Sequence, residues 1–503
     1  MNKTTLGSCL LTVVLLLAAC SSSDSDESTD TTTEGNSETT TVSAADESEA
    51  AEPDPTETGA TGQPDGPPEG VDPDGEMPTG PPAGDIDSDE IQSDEFGYRP
   101  VEFRDQVLDR QAEVERLDAD GDGALSEDEY NGTAKLFADT DANDDGKIDG
   151  EEAEFMMVFA EIPAGSFTMG QDEPATAFFE PETDLTPAHQ VSIDAFSMGA
   201  TEITNAQYVL YMNSALENGE ITVLLGDMHD DVARYHYPVA TWMVEGAAGT
   251  EYEGLPYVNL SPVTGLSHNV FDDNTLLIPE HPFNVSWIDY NPDTQTFSVR
   301  PGFEDWPVSY LKWWGAMAFA DYYDLSLPTE AEWEYVAAGG EQFAFGSGDG
   351  EYGCQGANYG CYNVNGSPGY TGTDTPEEYI GFRYPVGSFA SNPFGVYDMS
   401  GNVWEGTLDW YDVDFYQSLI DDGITNNPLN LDGEEPPMDG SAIGGPSVEF
   451  SHDARVYRGG SYNYHEAVAT TTYRFPVYPW IGNDHFGGRV ALRPDTTTFN
   501  RQS

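Results

Sequence analysis

A mixed α+β fold preceded by a small all-α module is the architecture this sequence predicts, on three observations. Two acidic loops with helix-like flanks follow one another between residues 98 and 158. Beyond them, short segments of alternating hydrophobicity are interspersed with helix starts marked by capping residues. The chain also carries 27 Tyr, 24 Phe and 9 Trp, which suits a well-packed core because large rings bury much apolar surface. A length of 503 residues corresponds to about three domains at the usual size.

At the N-terminus, Lys3 precedes the apolar stretch Leu10 to Ala19, which ends at Cys20. About ten apolar residues are too few to cross a bilayer as a helix, for which about twenty are needed. A basic start, an apolar core and small residues before the cut describe a secretory signal over residues 1–19. Leu17-Ala18-Ala19-Cys20 resembles a bacterial lipobox. That resemblance implies lipid on Cys20, a membrane anchor, and an extracytoplasmic place in the cell envelope, periplasmic or at the cell surface. The alternative is an ordinary signal peptide with a chance cysteine.

Residues 20–97 are dominated by Ser, Thr, Asp, Glu, Pro and Gly, with no Lys or Arg from Ser21 to Tyr98. Such a stretch buries too little apolar surface to offset its ordering entropy, which predicts a disordered acidic stalk. Like charges and prolines such as Pro53, Pro55, Pro67 and Pro68 extend it further. Over the whole chain 92 Asp and Glu face 17 Lys and Arg, a formal charge of −75. This excludes nucleic acid and anionic lipid as partners of the folded part, and suits cation binding. Of the four cysteines, Cys9 leaves with the signal and Cys20 takes lipid. Cys354 and Cys361 then remain as a disulfide in an oxidising compartment, or as two free buried thiols.

The module over residues 98–158 contains the chemistry most specific to residue type. Asp118, Asp120, Asp122, the carbonyl of Ala124 and Glu129 fall at ligand positions of an EF-hand loop, with Gly123 at the turn and Leu125 at the apolar position. A second copy supplies Asp141, Asn143, Asp145, the carbonyl of Lys147 and Glu152, with Gly146 at its turn. Calcium takes six to eight oxygens, so this density of carboxylates in a loop has a physical purpose. Only Tyr130 to Thr140 separates the loops, room for one helix of about three turns where ordinary pairs have two helices. Leu136 and Phe137 would face the core. Leu108, Val114 and Leu117 before the first loop, and Phe155, Met156 and Phe159 after the second, would supply the apolar faces of the outer helices.

Residues 159–495 form the large domain, followed by a tail over 496–503. Glu161 to Gly170 reads as a strand and turn, and His189 to Phe196 as an alternating strand. Thr204 is a good N-cap for a helix through Met212. Lys312 to Tyr323 has helical apolar spacing. Thr329, with Glu332 three residues on, forms a capping box, and Gly339 and Gly340 stop that helix. Glu217 to Asp305 reads as a set of surface hairpins.

Leu327-Pro328-Thr329-Glu330-Ala331-Glu332-Trp333-Glu334-Tyr335, then Tyr397-Asp398-Met399-Ser400-Gly401-Asn402-Val403-Trp404-Glu405, then Arg458-Gly459-Gly460-Ser461 occur in this order. Together with Thr201-Glu202-Ile203-Thr204-Asn205 they resemble the formylglycine-generating enzyme, or sulfatase-modifying factor, family over roughly Glu161 to Pro494. The resemblance implies a C-type-lectin-like fold with little regular secondary structure, short helices flanking small antiparallel sheets, and a groove for an extended peptide or a glycan. It also implies calcium inside the domain. One site maps onto Asp398, Gly401, Val403 and Glu405. A looser one includes Asn358, Tyr359 by its carbonyl, and Asp374, between Cys354 and Cys361 or just after them.

In copper-dependent members two cysteines follow the Arg-Gly-Gly-Ser motif, and here Tyr464 and Ala469 stand in their places. Copper(I) selects thiolates, so the copper-dependent oxidation of a substrate cysteine is not expected. The reading is a calcium-binding, lipid-anchored binding or accessory module. The alternative is a protein-modifying oxidoreductase using another metal, non-haem iron, or a partner protein. His452, His465 and His485, with Asp453, Glu466 and Asp484 beside them, would be its donors. Arg458, Arg474 and Arg489 read as buried, ion-paired architecture.

Overall fold

The computed structural model describes residues 108–172, 184–225, 240–262, 286–347, 383–433, 453–462, 464 and 466–494. The signal, lipid-anchor and stalk expectations lie outside these residues, as do Cys354, Cys361, Asn358, Tyr359, Asp374, His452, His465 and the tail. No helix among the described residues is long and apolar enough to cross a membrane.

The chain enters through α1 (Arg110–Leu117), capped by the Asp109 side chain, which accepts from Ala112 N. The first acidic loop leads to α2 (Ala134–Thr140), which is seven residues long rather than three turns. Thr133 accepts from Leu136 N there, and a cap at this point delays the start of the helix. After the second loop comes only the four-residue α3 (Gly150–Ala153). The expected outer helix stops there, because Phe159 already opens β1 (Phe159–Ile162). An antiparallel bridge between Leu125 and Ile148 joins the two loops.

The mixed helix-and-strand architecture continues with β2 (Gly165–Met169), β3 (His189–Ile193) and β4 (Phe196–Gly199). The segment read as one strand and turn is thus two strands with different partners. β1 pairs with β4, and β2 with β3. The helix α4 (Asn205–Glu217) has Thr204 in a capping box with Gln207, and runs past Met212 because Ala215 is also buried. Strands β5 (Ile221–Leu225), β6 (Ala240–Gly246) and β7 (Pro256–Pro262) form an antiparallel sheet, and β8 (Ile288–Asn291) and β9 (Thr296–Val299) a hairpin. These hairpins are not merely a surface decoration, for Tyr257, Val258, Leu260 and Trp287 are each at most 2% exposed.

Helix α5 (Trp313–Tyr322) lies against β7 and is buried along nearly its whole length. The contact is so close that a Cβ on Gly315 would lie 2.4 Å from the Tyr257 carbonyl oxygen. Gly315→Ala is therefore expected to destabilise the protein by about 1–3 kcal/mol through overpacking, despite the better helix propensity of alanine. A neutral or stabilising effect in urea unfolding would contradict this packing. Helix α6 (Glu330–Ala337) begins with the Thr329–Glu332 capping box and ends before Gly339, whose φ is 63°. Strand β10 (Trp404–Trp410) is buried throughout. It sits between β11 (Arg455–Arg458), antiparallel, and β13 (Phe486–Gly487), parallel, with β12 (Phe475–Val477) beyond β11. Helix α7 (Phe415–Asp422) and β14 (Ala491–Leu492), which pairs with β4, complete the set.

The acidic-loop module and the large domain share one core, in which Val114, Leu125, Leu136, Phe137 and Ile148 belong to the same apolar cluster as Tyr208, Phe319 and Trp404. Polar ties reinforce it. Arg110 pairs with Asp305 at 2.8 Å, the Tyr323 hydroxyl donates to Asp139 at 2.9 Å, and Leu108 N donates to the Gly387 carbonyl at 3.2 Å.

Candidate functional site

Helix α6 carries glutamates at positions 330, 332 and 334, each at most 5% exposed. Burial of a carboxylate is tolerable only with a partner, and each has an arginine. Glu330 accepts from Arg474 Nε at 2.6 Å and Nη2 at 3.0 Å, and from Arg458 Nη1 at 3.1 Å. Glu334 accepts from Arg458 Nη2 at 2.5 Å and from Gly170 N at 2.7 Å. Glu332 accepts from Arg493 Nε at 2.7 Å while closing the capping box. Arg458 and Arg474 are therefore occupied by architecture, as their positions in the sequence suggested.

The turn from Asp398 to Glu405 places a second carboxylate group in the core. Asp398 and Asn402 have positive φ, 60° and 59°. Gly401 N donates to the Gly459 carbonyl at 2.7 Å, which fastens this turn to the Arg-Gly-Gly-Ser segment. Asp398 Oδ2 accepts from Gly387 N at 2.6 Å. Glu405 accepts from Arg489 Nε at 2.9 Å, Arg489 Nη2 at 2.7 Å and Trp333 Nε1 at 2.8 Å. Asp398 and Glu405 are thus brought to one cluster, but the Glu405 carboxylate is already spanned by a guanidinium.

The third member of the cluster is Glu202, which the sequence presented only as part of a helix start. It is 1% exposed; Oε1 accepts from Asn402 Nδ2 at 3.0 Å, and the carboxyl also hydrogen-bonds with that of Asp398. Burial, reinforced by the neighbouring Asp398, holds the Glu202 carboxyl well above the usual carboxylate range. Burial likewise pushes Asp398 up to about 6. Three buried carboxylates against the single guanidinium of Arg489 leave two formal negative charges, the charge of one divalent cation. Glu202 and Asp398 share a proton in this arrangement, and a divalent cation could take its place, because the donor set is hard and all-oxygen.

The first acidic loop also converges. Carboxylate oxygens of Asp118, Asp120 and Glu129 lie within 4.8 Å of one another. Backbone N–H donors, that of Gly123 first, hold Asp118 below its ordinary value, and the backbone and hydroxyl of Ser126 do the same for Glu129. Asp122 lies outside this group and pairs with Lys147. In the second loop Asp141 accepts from Asp145 N and Gly146 N at 3.1 and 2.8 Å, and Glu152 from Asn143 N at 3.1 Å.

The places that hold cysteines in copper-dependent members of the resembled family carry no open thiolate-like donor pair. The Tyr464 ring packs edge-on against Trp404 at 5.4 Å and His485 at 5.3 Å, and near Phe475 at 6.2 Å. Ala469 is fully buried against Phe345, and its carbonyl accepts from the Ser400 hydroxyl at 2.7 Å. A Cβ on Gly460 would come within 3.1 Å of Ala469 Cβ, so the two stretches of chain are in close contact. His485 is buried and bonded through Nδ1 to Asp484 at 3.0 Å, and Asp484 also accepts from the Tyr462 hydroxyl at 2.7 Å. Burial lowers the His485 pKa, so its imidazole is neutral near pH 7. Among the described residues no histidine joins a metal-type cluster.

The model of the sulfatase-modifying factor enzyme 1-like domain matches residues 149–494. Formylglycine-generating enzymes are among the similar proteins. The one from Bos taurus is 30% identical over 288 residues, covering 54% of this chain and 63% of that enzyme. The one from Thermomonospora curvata is 27% identical over 351 residues, covering 66% of this chain and 92% of the other. A solved structure, PvdO from Pseudomonas aeruginosa, aligns at 20% identity and a TM-score of 0.36 over 67% of this chain and 94% of that one.

Proposed function

We propose a function from one premise: this chain belongs to the sulfatase-modifying factor enzyme 1-like domain family. Within that family it is a calcium-stabilised, extracytoplasmic binding or accessory module that has lost the copper-dependent chemistry of formylglycine formation. Its domain is of the C-type-lectin-like type, its two acidic loops are a compact EF-hand pair, and Cys20 carries the lipid that anchors it to a membrane. The observation that supports the loss is the packing at Tyr464 and Ala469. A phenol and a methyl group offer copper(I) neither thiolate; the phenol is packed against Trp404 and His485 and the methyl group against Phe345.

Two calcium assignments support the rest. Asp118, Asp120 and Glu129 would hold one ion in the first loop, and Asp398 with Glu202 would hold another beside the Arg489–Glu405 pair. When bound, the ion supplies positive charge in place of protons. The protein's own residues do the remainder: Arg489 neutralises Glu405, Asn402 orients Glu202, and the turn at Gly401 locks this cluster to the Arg-Gly-Gly-Ser segment. The groove of the family would then present an extended peptide or glycan to a rigid surface.

The test uses the full chain loaded with calcium and incubated with a Cys-x-Pro-x-Arg peptide. The expected result is peptide binding or none, with no stoichiometric copper or iron by elemental analysis and no oxygen consumption. Stoichiometric transition metal, or conversion of the peptide cysteine seen by mass spectrometry, would sink the accessory-module reading in favour of an oxidoreductase.

A further inference from the structure

Asp122 stands at the fifth position of the first acidic loop, where its carboxylate is expected beside those of Asp118, Asp120 and Glu129. Those three converge, and Asp122 does not. Its Oδ1 accepts from Ala124 N at 3.1 Å, and its Oδ2 is held in an ion pair by Lys147 Nζ. Lys147 belongs to the other loop, at its seventh position. The exchange of hydrogen bonds between Leu125 and Ile148, at 3.0 and 2.8 Å, sets the two loops side by side and brings this ammonium within reach.

Both side chains are well exposed, 42% for Lys147 and 36% for Asp122. An exposed pair of this kind is weak and exchangeable. A divalent ion seated among Asp118, Asp120 and Glu129 would attract Asp122 with twice the charge and at direct contact.

We infer that Lys147 is a tethered competitor for the first loop, a built-in monocation that holds the Asp122 carboxylate until a divalent cation displaces it. This inference rests on the calcium reading of the loops. It also makes the loops communicate. The carbonyl of Lys147 is the backbone ligand expected of the second loop, so filling that loop fixes the main chain from which the competing side chain extends. The first loop is accordingly a site of weakened affinity, suited to surroundings where calcium is abundant.

The test is isothermal titration of the full chain with calcium, assigning to the first loop the binding component that Glu129→Gln removes. Lys147→Gln is expected to tighten that component about three- to tenfold, and Lys147→Arg to leave it within about twofold of the wild type. Arg116→Gln, which removes the same charge from an exposed position on α1 (side chain 49% exposed), is the control and should change it by less than about twofold. Unchanged affinity in Lys147→Gln, tightening in Lys147→Arg, or equal tightening in Arg116→Gln would overturn the inference while leaving calcium binding intact. If Glu129→Gln removes nothing from the wild-type isotherm, the calcium reading of this loop fails and the inference with it.

Discussion

Glu330→Gln is expected to destabilise the protein by about 3–5 kcal/mol, the cost of leaving a buried charge without its partner. Glu330 lies at 0% exposure, as do Arg458 and Arg474, and its carboxylate is shared by both guanidiniums. Glutamine keeps the shape but removes the charge. Its amide would also turn an N–H group toward Arg474 or Arg458, so a donor faces a donor. Glu334, Asp184 and Asp409 would remain near the two arginines, but none spans them as Glu330 does, and Glu334 already accepts from Arg458 and Gly170. The Tyr416 hydroxyl, 3.4 Å from Glu330, cannot supply the missing charge. Urea unfolding followed by tryptophan fluorescence measures the effect, and a change below about 1 kcal/mol would show that the network is not the unit described.

Chelating calcium is expected to lower stability by about 2–3 kcal/mol for each site that was held at a hundredfold excess over its Kd. It should also make stability fall as pH rises. The sign follows from the direction of the shifts. Burial raises Asp398 to about 6 and Asp409 to about 7, with Glu330 adding to the latter. A carboxyl raised in the folded state contributes stability that is full below its unfolded value of 3.8 and lost as pH passes its folded value. Glu202 acts in the same direction. His485 acts in the opposite one, because burial lowers it and its contribution is lost as pH falls below the ordinary imidazole value of 6.5. The clean window therefore runs upward from that value. Asp398 is largely titrated below this window, so between pH 6.5 and 8 the chelated protein should lose about 1 kcal/mol through Asp409, with Glu202 adding to it. Calcium should flatten the part due to Glu202 and leave the part due to Asp409. Melting curves with EGTA and with calcium across this window decide the matter. Identical midpoints with and without calcium would remove the structural role assigned to the ion.

How much was legible depended on the reach of each interaction. The Thr329–Glu332 capping box, the Thr204 cap and the stop before Gly339 connect residues at most a few positions apart, and the chain alone declares them. Caps and core contacts make α2 and α3 shorter than the spacing predicts; Leu108, Val114, Leu136, Phe137 and Met156 are buried as expected, Leu117 and Phe155 are half-buried, and Phe159 joins a strand instead of a helix. Glu202 is not legible as a proposed calcium ligand because its neighbours Asn402 and Asp398 lie about 200 positions away in the chain. The only signal that pointed to it was an acidic residue flanked by a strand end and the apolar Ile203, where burial was to be expected.

The sequence by itself therefore determined the local devices and the family: acidic loops, caps, breakers, ordered motifs, and two positions without a thiol. These depend on residue type and short spacing, which survive in a linear string. Only the tertiary structure decided which arginine meets which glutamate, that Glu405 is spanned by Arg489 while Glu202 meets Asp398, and that Lys147 crosses to the neighbouring loop. Burial made those choices: in a desolvated interior each charge must find a partner, and the partner is set by the packing of distant segments.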